Sequence, residues 1–189
     1  MAQPAETGHF HAVQFYQDQA SLSSIVGGFI AEGFAHGHPA IMIVTPEHRA
    51  LIEADLIARR INVAELKRTG DLVVMDARDT LAAFMIDGMP NAGMFNRVAG
   101  QVLAHLCRTR PNCVVRAYGE MVNVLWKDGL EAAAIRLETL WNELANTHDF
   151  KLLCGYSMGN FYKGAAIDHI KGQHSHLIEQ EGVTRPLVN

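Results

Sequence analysis

The chain has 189 residues, of which 49% are hydrophobic, and its 16 basic and 20 acidic side chains give a formal charge of −4. This composition excludes a disordered chain, and the length predicts one domain with a sizeable core. No basic stripe stands out, which argues against a large nucleic-acid surface, so we expect no direct contact with nucleic acid.

No apolar run approaches the roughly 20 residues that span a bilayer. The first ten residues, "MAQPAETGHF", lack the basic and apolar regions of a secretory signal. We therefore expect a cytoplasmic protein without membrane contact. The odd number and irregular spacing of Cys107, Cys113 and Cys154 predict three reduced thiols.

Strand-like and helix-like segments alternate along the chain. The predicted strands are short apolar runs, at residues 11–16, 39–45, 71–77, 113–119 and 150–157. The predicted helices cover 22–36, 46–60, 80–86, a segment from about 92, 130–148 and a short stretch after 161. Either Asp18 or Ser21 is expected to cap the first helix, and Pro46 suits the first turn of the second. This alternation predicts an α/β fold of three layers, a mainly parallel sheet with helices on both faces.

In sheets of this kind, ligands bind outside the carboxyl ends of the strands. Polar and aromatic side chains are predicted at those ends: Tyr16, Asp18, Thr45, Glu47, His48, Asp76, Arg78, Tyr118, Glu120, Tyr156 and Ser157. Aromatic walls with a few polar anchors suit a small organic ligand. The alternative interpretation is that Asp18 and Thr45 only cap the following helices, and that Glu47 complements a helix dipole.

Arg116 falls in a mostly apolar strand, and a buried arginine requires a carboxylate partner. Glu120 and Asp76 are the candidates, and such a pair would either orient a ligand or stabilise the edge of the sheet. Trp141 lies on the apolar face of the helix at 130–148 and is expected in the core. For Trp126, core packing is favoured over a place in a ligand pocket.

Ten histidines are present, and six of them form pairs with one residue between: His9/His11, His36/His38 and His174/His176. On a strand this spacing puts both rings on one face, which would let His9 and His11 chelate a metal, whereas on a helix it separates them. A zinc site needs three or four ligands, and the sequence contains no compact cysteine–histidine cluster. We therefore expect exposed or core histidines and no bound metal or other cofactor, with chelation as the alternative.

The run from Glu32 to Leu81, "EGFAHGHPAIMIVTPEHRALIEADLIARRINVAELKRTGDLVVMDARDTL", resembles the core of the RecA/KaiC-type ATPases. Seven further motifs occur in order: "HAVQFYQD", "IVTPEHR", "LVVMDARDTLAAFMIDG", "RAYGEMVNVLW", "RLETLWNEL", "FKLLCGYSM" and "HSH". Through them the whole chain resembles the MEDS family, the sensory domain of the DcmR regulator of methylotrophs. We place this domain at residues 9–178, between tails at 1–8 and 179–189.

The resemblance implies a RecA/KaiC-like fold used for sensing, without ATP hydrolysis. Members of the family are often fused to DNA-binding or histidine-kinase domains and are thought to respond to hydrocarbon derivatives. Because this chain resembles the sensory domain alone, we expect its output to pass through a partner kinase or transcription regulator. We also expect a homo-oligomer. His11 and His174 fall in matching motifs, which favours them over the other histidines as site or interface residues.

The residues after the first strand do not fit a nucleotide site. A P-loop requires glycines and a lysine, which "YQDQAS" lacks, and Asp18 would repel phosphate. Ala117 and Tyr118 stand where such enzymes place their metal-binding acid, and Glu47 matches the catalytic glutamate of KaiC-like enzymes. We interpret Glu47 as a relic, a cap or a ligand contact.

We therefore predict a sensory domain that binds a small organic effector and is not an enzyme. Two alternatives remain. The chain is either an interaction adaptor with a vestigial site or an ATPase with an unconventional nucleotide site.

Overall fold

A computed structural model describes residues 9–160, 164–179 and 182–187 of the chain. The strands of this part form two sheets. The strands are β1 (His11–Tyr16), β2 (Ala40–Val44), β3 (Leu72–Asp76), β4 (Met85–Ile86), β5 (Met89–Pro90), β6 (Val115–Gly119), β7 (Phe150–Ser157), β8 (His176–Ile178) and β9 (Thr184–Pro186). Seven of them form the main sheet, in the order β3-β2-β6-β7-β1-β8-β9, whereas β4 and β5 form a separate hairpin. Neighbours in the main sheet are parallel except β8 and β9.

Helices cover both faces of the main sheet. They are α1 (Gln19–Ala35), α2 (Pro46–Ala58), α3 (Val63–Thr69), α4 (Ala77–Ala82), α5 (Ala92–Phe95), α6 (Gln101–Cys107), α7 (Met121–Lys127), α8 (Glu131–Leu144) and α9 (Gly164–Lys171). One core cluster unites α1, α2 and α3 with one face of the sheet, and a larger one unites α4 to α9 with the other face. The predicted three-layer α/β fold with a mainly parallel sheet is thus confirmed.

The alternating side chains of the strands explain how the two cores share one sheet. On β1, Ala12 and Tyr16 face α1, whereas Val13 faces the α8 side. Trp141 of α8 is 1% exposed and packs edge-on against Phe95 and Phe150, as expected for a core residue. Trp126 is also buried, again as expected.

Local signals at the helix starts are mostly used as the sequence predicts. Asp18 caps α1, and its side chain accepts a hydrogen bond from the backbone N–H of Ser21. Pro46 occupies the first turn of α2, but the Thr45 hydroxyl makes no capping bond within the described ranges. Asp76 caps α4 by accepting from the backbone N–H groups of Arg78 and Asp79.

Several predicted boundaries and assignments differ from the structure. The segment 80–86 was predicted as one helix, but α4 ends at Ala82 and Met85–Ile86 is a strand of the β4–β5 hairpin. The helices α3 and α7 were not predicted, and β9 adds an edge strand within the predicted carboxyl-terminal tail. A π turn, Asn96–Gly100, joins α5 to α6.

The cysteines also depart from the prediction. Cys107 and Cys113 form a disulfide, with Cα atoms 5.4 Å apart, so the expectation of reduced thiols is wrong for this pair. Their six-residue separation spans the turn between α6 and β6, which brings the two ends together. Cys154 carries a free thiol and is buried in β7.

None of the helices in the described ranges combines the length and the apolar character needed to cross a membrane.

Candidate functional site

The carboxyl ends of β2 and β6 are joined by the carboxylate of Glu120, which is fully buried. One of its oxygens accepts a hydrogen bond from the backbone N–H of Thr45, and the other accepts one from Nδ1 of His48. The Tyr16 ring meets the His48 ring edge-on, with centroids 5.7 Å apart. Four of the predicted residues therefore come together where β1, β2 and β6 end.

Asn123 in α7 extends this arrangement to the next strand. Its amide nitrogen donates to the Tyr16 hydroxyl at 3.2 Å, and its amide oxygen accepts from the backbone N–H of Ser157 at 3.0 Å. Burial and the negative charge of Glu120 raise the pKa of Tyr16, so its hydroxyl is neutral at physiological pH. We call Tyr16, Thr45, His48, Glu120 and Asn123 the strand-end site.

The turn between β1 and α1 is a helix cap. The bond from the Ser21 N–H to Asp18 is 2.8 Å long, and it lowers the pKa of the Asp18 carboxyl, which is therefore charged at neutral pH. A fixed negative charge thus occupies the helix end that a phosphate would need. Nearby, Glu47 in the first turn of α2 accepts a hydrogen bond from the Gln19 side chain and remains exposed.

Asp76 and Arg78 lie at the end of β3, but local contacts engage both side chains. Asp76 caps α4, at 2.8 and 3.0 Å from two backbone nitrogens. The Arg78 guanidinium forms a bidentate salt bridge with the Asp128 carboxylate on the surface, with N–O distances of 2.8 and 3.1 Å. The structure therefore does not bring these two residues into the strand-end site.

Arg116 lies in the amino-terminal half of β6, and the carboxylate partner predicted for it is wrong. Its Nη2 lies 3.2 Å from Oε2 of Glu32 in α1, and its guanidinium stacks over the Phe29 ring at 5.0 Å. Neither Glu120 nor Asp76 pairs with it in the described structure, because both follow the opposite, carboxyl ends of their strands. Burial lowers the pKa of Arg116, and the attraction of Glu32 opposes this effect.

Two polar side chains lie buried between the sheet and α1 without satisfied hydrogen bonds. Within the described residues, neither the amide group of Gln14 nor the hydroxyl of Tyr118 has a hydrogen-bond partner, although both residues are at most 1% exposed. Gln14 pairs in register with Gly155 of β7, and a Cβ on Gly155 would lie 2.7 Å from the Tyr118 hydroxyl oxygen. Glycine at 155 thus makes room for the tyrosine.

His11 and Tyr156 lie on the opposite face of the sheet from Tyr118. We call His11, Glu138, Cys154 and His174 the buried cluster, and Tyr156 lies beside it. Glu138 of α8 lies 3.1 Å from Nε2 of His11 and 3.4 Å from Nε2 of His174. The Tyr156 hydroxyl donates to Oε1 of Glu138, the oxygen that faces His174, at 2.7 Å. The four members of the cluster are each at most 1% exposed.

The histidine pairs divide as their local structure dictates. His9 precedes β1 by two residues, and its ring lies near that of His11, with centroids 5.8 Å apart. His174 precedes β8 and enters the buried cluster, whereas His176 lies within β8 and stacks on Phe10. The sequence analysis missed the cluster because its members are separated by up to 163 positions, from His11 to His174.

Glu138 and Gln14 gave signals that sequence reasoning overlooked. Glu138 stands one position after Leu137 and three before Trp141 on the apolar side of α8, where an acid is costly unless it has partners. Gln14 is the one amide in the apolar run of β1. A polar side chain at an inward position of an otherwise apolar element therefore marked both residues.

A shallow groove of about 310 Å³ lies elsewhere, beside Gly100 of the π turn and His148 after α8. It is lined by none of the residues predicted to bind a ligand.

The fold is similar to that of a solved protein. The crystal structure of a KaiC-like protein from the hyperthermophilic archaeon Pyrococcus horikoshii OT3 matches with a TM-score of 0.59 and 11% sequence identity. The match covers 89% of this chain and 71% of that chain. It confirms the predicted RecA/KaiC-like fold, and at this identity it shows the fold alone.

A comparison with curated proteins gives no significant match. The family model described as MEDS, the methanogen/methylotroph DcmR sensory domain, matches residues 10–174. This range holds every strand of the main sheet except β8 and β9. The chain therefore belongs to the MEDS family of sensory domains.

Proposed function

We propose that this chain is a regulatory sensory domain that binds a small organic effector, such as a hydrocarbon derivative, at the strand-end site, and that it is not an enzyme. Membership of the MEDS family supports the sensory role. The observation that carries the proposal is the hydrogen bond from Ser21 to Asp18, because it fills the end of α1 with a carboxylate. The Asp18 carboxylate occupies the place that a phosphate would need, and the turn has neither the glycines nor the lysine of a P-loop.

The side chains at the strand ends suit an effector that is mostly apolar. Tyr16 and His48 place two buried aromatic rings at the strand ends, while Glu47 and Gln19 supply polar groups at the exposed rim. The carboxylate of Glu120 and the amide of Asn123 already bond to protein groups, so they hold the site in shape. Few free polar groups and aromatic walls are typical of pockets for small organic molecules.

The unpartnered Gln14 amide and Tyr118 hydroxyl support a polar end on the effector. They lie on the same face of the sheet as Tyr16. A buried amide and hydroxyl without partners cost free energy, which a hydroxyl, carbonyl or similar group of a ligand would recover. The proposed effector therefore has a small apolar body and one hydrogen-bonding group.

Signalling would follow from a difference in effector affinity between two states of the domain. The proposed output is altered contact with a partner histidine kinase or transcription regulator in the cytoplasm, and the proposed assembly is a homo-oligomer. Ile86 and Met89 on the β4–β5 hairpin are 47% and 41% exposed, which supports this hairpin as a contact surface.

Thermal-shift measurements on the full chain test the proposal. A panel of small alcohols, ketones and halogenated hydrocarbons is compared with ATP and GTP in the presence of magnesium. An effector at 100 times its dissociation constant stabilises the folded state by about 2.7 kcal/mol, which is readily measured. We expect a saturable rise in melting temperature with a member of the panel and none with the nucleotides.

Two variants locate the site. Tyr16→Phe keeps the ring but removes the hydroxyl that meets Asn123, and Glu47→Gln removes the rim charge. Both are expected to weaken the effector-induced shift while the unliganded protein still melts cooperatively. Glu65→Gln in α3, distant in sequence and engaged with Arg68, is the control and is expected to bind normally. Normal binding by both site variants would show that the effector binds elsewhere.

Other results would favour the alternatives. A saturable shift with nucleotide and magnesium would favour the unconventional ATPase. If the chain captures a partner kinase or regulator, and no compound of the panel changes that capture or shifts the melting temperature, the interaction adaptor would be favoured.

A further inference from the structure

The buried cluster brings two imidazole nitrogens, a carboxylate and a sulfur to one place between the sheet and α8. One donor atom from each of His11, Glu138, Cys154 and His174 lies within 4.8 Å of all the others. The strand-end site uses none of these four side chains. A cluster of this kind, fully shielded from water, requires a separate explanation.

The distances between the donor atoms approach those of a tetrahedral metal site. Nε2 of His11 lies 3.4 Å from the Cys154 sulfur and 3.1 Å from Oε2 of Glu138, and the sulfur lies 3.5 Å from the same oxygen. Nε2 of His174 lies 3.4 Å from Oε1 of Glu138. Zinc bonds of about 2.0 Å to nitrogen and 2.3 Å to sulfur place neighbouring ligand atoms roughly 3.3–3.6 Å apart.

Both imidazoles present a lone pair to the centre of the cluster. Nδ1 of His11 donates to the amide oxygen of Asn142 at 2.8 Å, and the Asn142 nitrogen donates to the backbone oxygen of Gln173, which fixes the orientation of the amide. Nδ1 of His174 donates to the backbone oxygen of Ile170 at 2.7 Å. With Nδ1 protonated in each ring, Nε2 is left as the acceptor, as metal-ligating histidines require.

Without a cation, these inward lone pairs face a carboxylate in a region closed to water. Within the described residues, Nε2 of His174 makes no hydrogen bond although it is buried. Cys154 is 1% exposed, and a buried thiolate there would need a positive charge beside it.

We propose that His11, Glu138, Cys154 and His174 form a closed, four-coordinate site for Zn²⁺ or a chemically similar divalent transition metal. Two nitrogens and a sulfur exclude Mg²⁺ and Ca²⁺, which take oxygen ligands. Binding displaces the Cys154 thiol proton to solvent and leaves a thiolate on the metal. Four protein ligands leave no open position, so the metal stabilises the packing of β1, β7, α8 and the His174 segment and does not activate water.

Cobalt provides the direct test, because a thiolate bound to Co²⁺ gives a charge-transfer band and a tetrahedral site gives intense visible bands. The full chain is stripped of metal with a chelator, checked for folding by circular dichroism, and titrated with Co²⁺ and then Zn²⁺. We expect saturation at one metal per chain, both spectral features, loss of colour on adding Zn²⁺, and a higher melting temperature with metal.

Variants separate this site from adventitious binding by the other histidines. Cys154→Ser is expected to remove the charge-transfer band, and His174→Gln to lower affinity at least tenfold. Asn142→Ala, which touches no metal, is expected to lower affinity by about 10- to 100-fold through the freed His11 ring. The control is His176→Gln, two positions from His174 but outside the cluster, and it is expected to leave stoichiometry and spectrum unchanged.

Three outcomes would overturn the proposal. One is a folded, metal-free chain that binds less than one metal without a thiolate band. The second is an unchanged spectrum in Cys154→Ser. The third is a loss of metal binding in His176→Gln as large as that in His174→Gln. Each would show that the four side chains form a proton-sharing network only. Because the readout is spectroscopic and needs no effector, this result is independent of the proposed sensory function.

Discussion

His48 and Glu120 are 72 positions apart in the chain, yet the ring nitrogen of one donates a hydrogen bond to the buried carboxylate of the other. This bond, with the one from the backbone of Thr45, fixes the start of α2 against the end of β6. Under the proposed function, these bonds hold residues of the strand-end site in place before the effector binds, which lowers the entropic cost of binding.

The first prediction concerns this contact. Replacing Glu120 by alanine leaves the Thr45 N–H and the His48 ring buried without their partner, so we expect the free energy of unfolding to fall by about 3 kcal/mol. Urea denaturation measures the change. A double-mutant cycle with His48→Ala should give a coupling of at least about 1 kcal/mol. Additive effects of the two substitutions would show that the pair contributes little.

The second prediction compares two glycines of α1. A Cβ on Gly33 would lie 2.3 Å from Cγ of Arg116, a side chain held by Glu32 and Phe29, so Gly33→Ala should cost about 1–3 kcal/mol. A Cβ on Gly28 would have Nη1 of Arg59 as its nearest neighbour, 3.7 Å away, so Gly28→Ala should stabilise the helix by about 0.5–1 kcal/mol.

Thermal or urea unfolding of these two variants gives the sign of each change. If Gly33→Ala is as stable as Gly28→Ala, Arg116 does not pack against α1 as described.

The third prediction compares two tyrosines. Tyr118→Phe removes a buried hydroxyl that has no partner among the described residues, so stability should stay the same or rise by up to about 1 kcal/mol. Tyr156→Phe removes the donor to the buried carboxylate of Glu138, 2.7 Å away, and should cost about 1–3 kcal/mol.

Under the proposed function, Tyr118→Phe should also weaken the effector-induced thermal shift. If the Tyr118 hydroxyl is kept for binding at the expense of stability, its removal should stabilise the protein and weaken effector binding together. A loss of stability in Tyr118→Phe comparable with that in Tyr156→Phe would mean that the Tyr118 hydroxyl does have a partner.

The fourth prediction concerns the cysteines. Protein handled without reductant should show one titratable thiol of three after denaturation, and three after reduction, because Cys107 and Cys113 are joined. In the native state the remaining thiol of Cys154 should react slowly, since it is 1% exposed and burial raises its pKa. Three thiols in the denatured, unreduced chain would support the reduced state that the sequence suggests.

The sequence predicted the layers of this fold better than its contacts. Apolar runs located β1 and β7 to the residue, and a polar residue marks one end of each, Gln17 after β1 and Asp149 before β7. The helix α7 was missed because Met121–Trp126 are all buried, so the segment has no polar face and shows no helical periodicity. By contrast, the sequence did contain signals for α3, because Asn62 caps its start and Gly70, in a left-handed conformation, caps its end. These signals were overlooked.

The candidate sites were harder to predict because they depend on which face and which end of a strand a side chain occupies. The rule that ligands bind at carboxyl ends selected Tyr16, His48 and Glu120 correctly as neighbours. The partner predicted for Arg116 was wrong because this residue lies at the other end of β6, beside Glu32. The rule also could not foresee that Tyr156 faces α8, since that depends on the register of β7 with β1.

The position of β1 inside the sheet has a consequence for biosynthesis. The neighbours of β1 in the sheet, β7 and β8, lie more than 130 positions later in the chain. The nascent polypeptide must therefore carry an apolar strand with both edges open until β7 and β8 have been synthesised. We expect chaperones that shield such segments to bind this protein during translation. The yield of folded protein should therefore depend on these chaperones even if the folded state is stable.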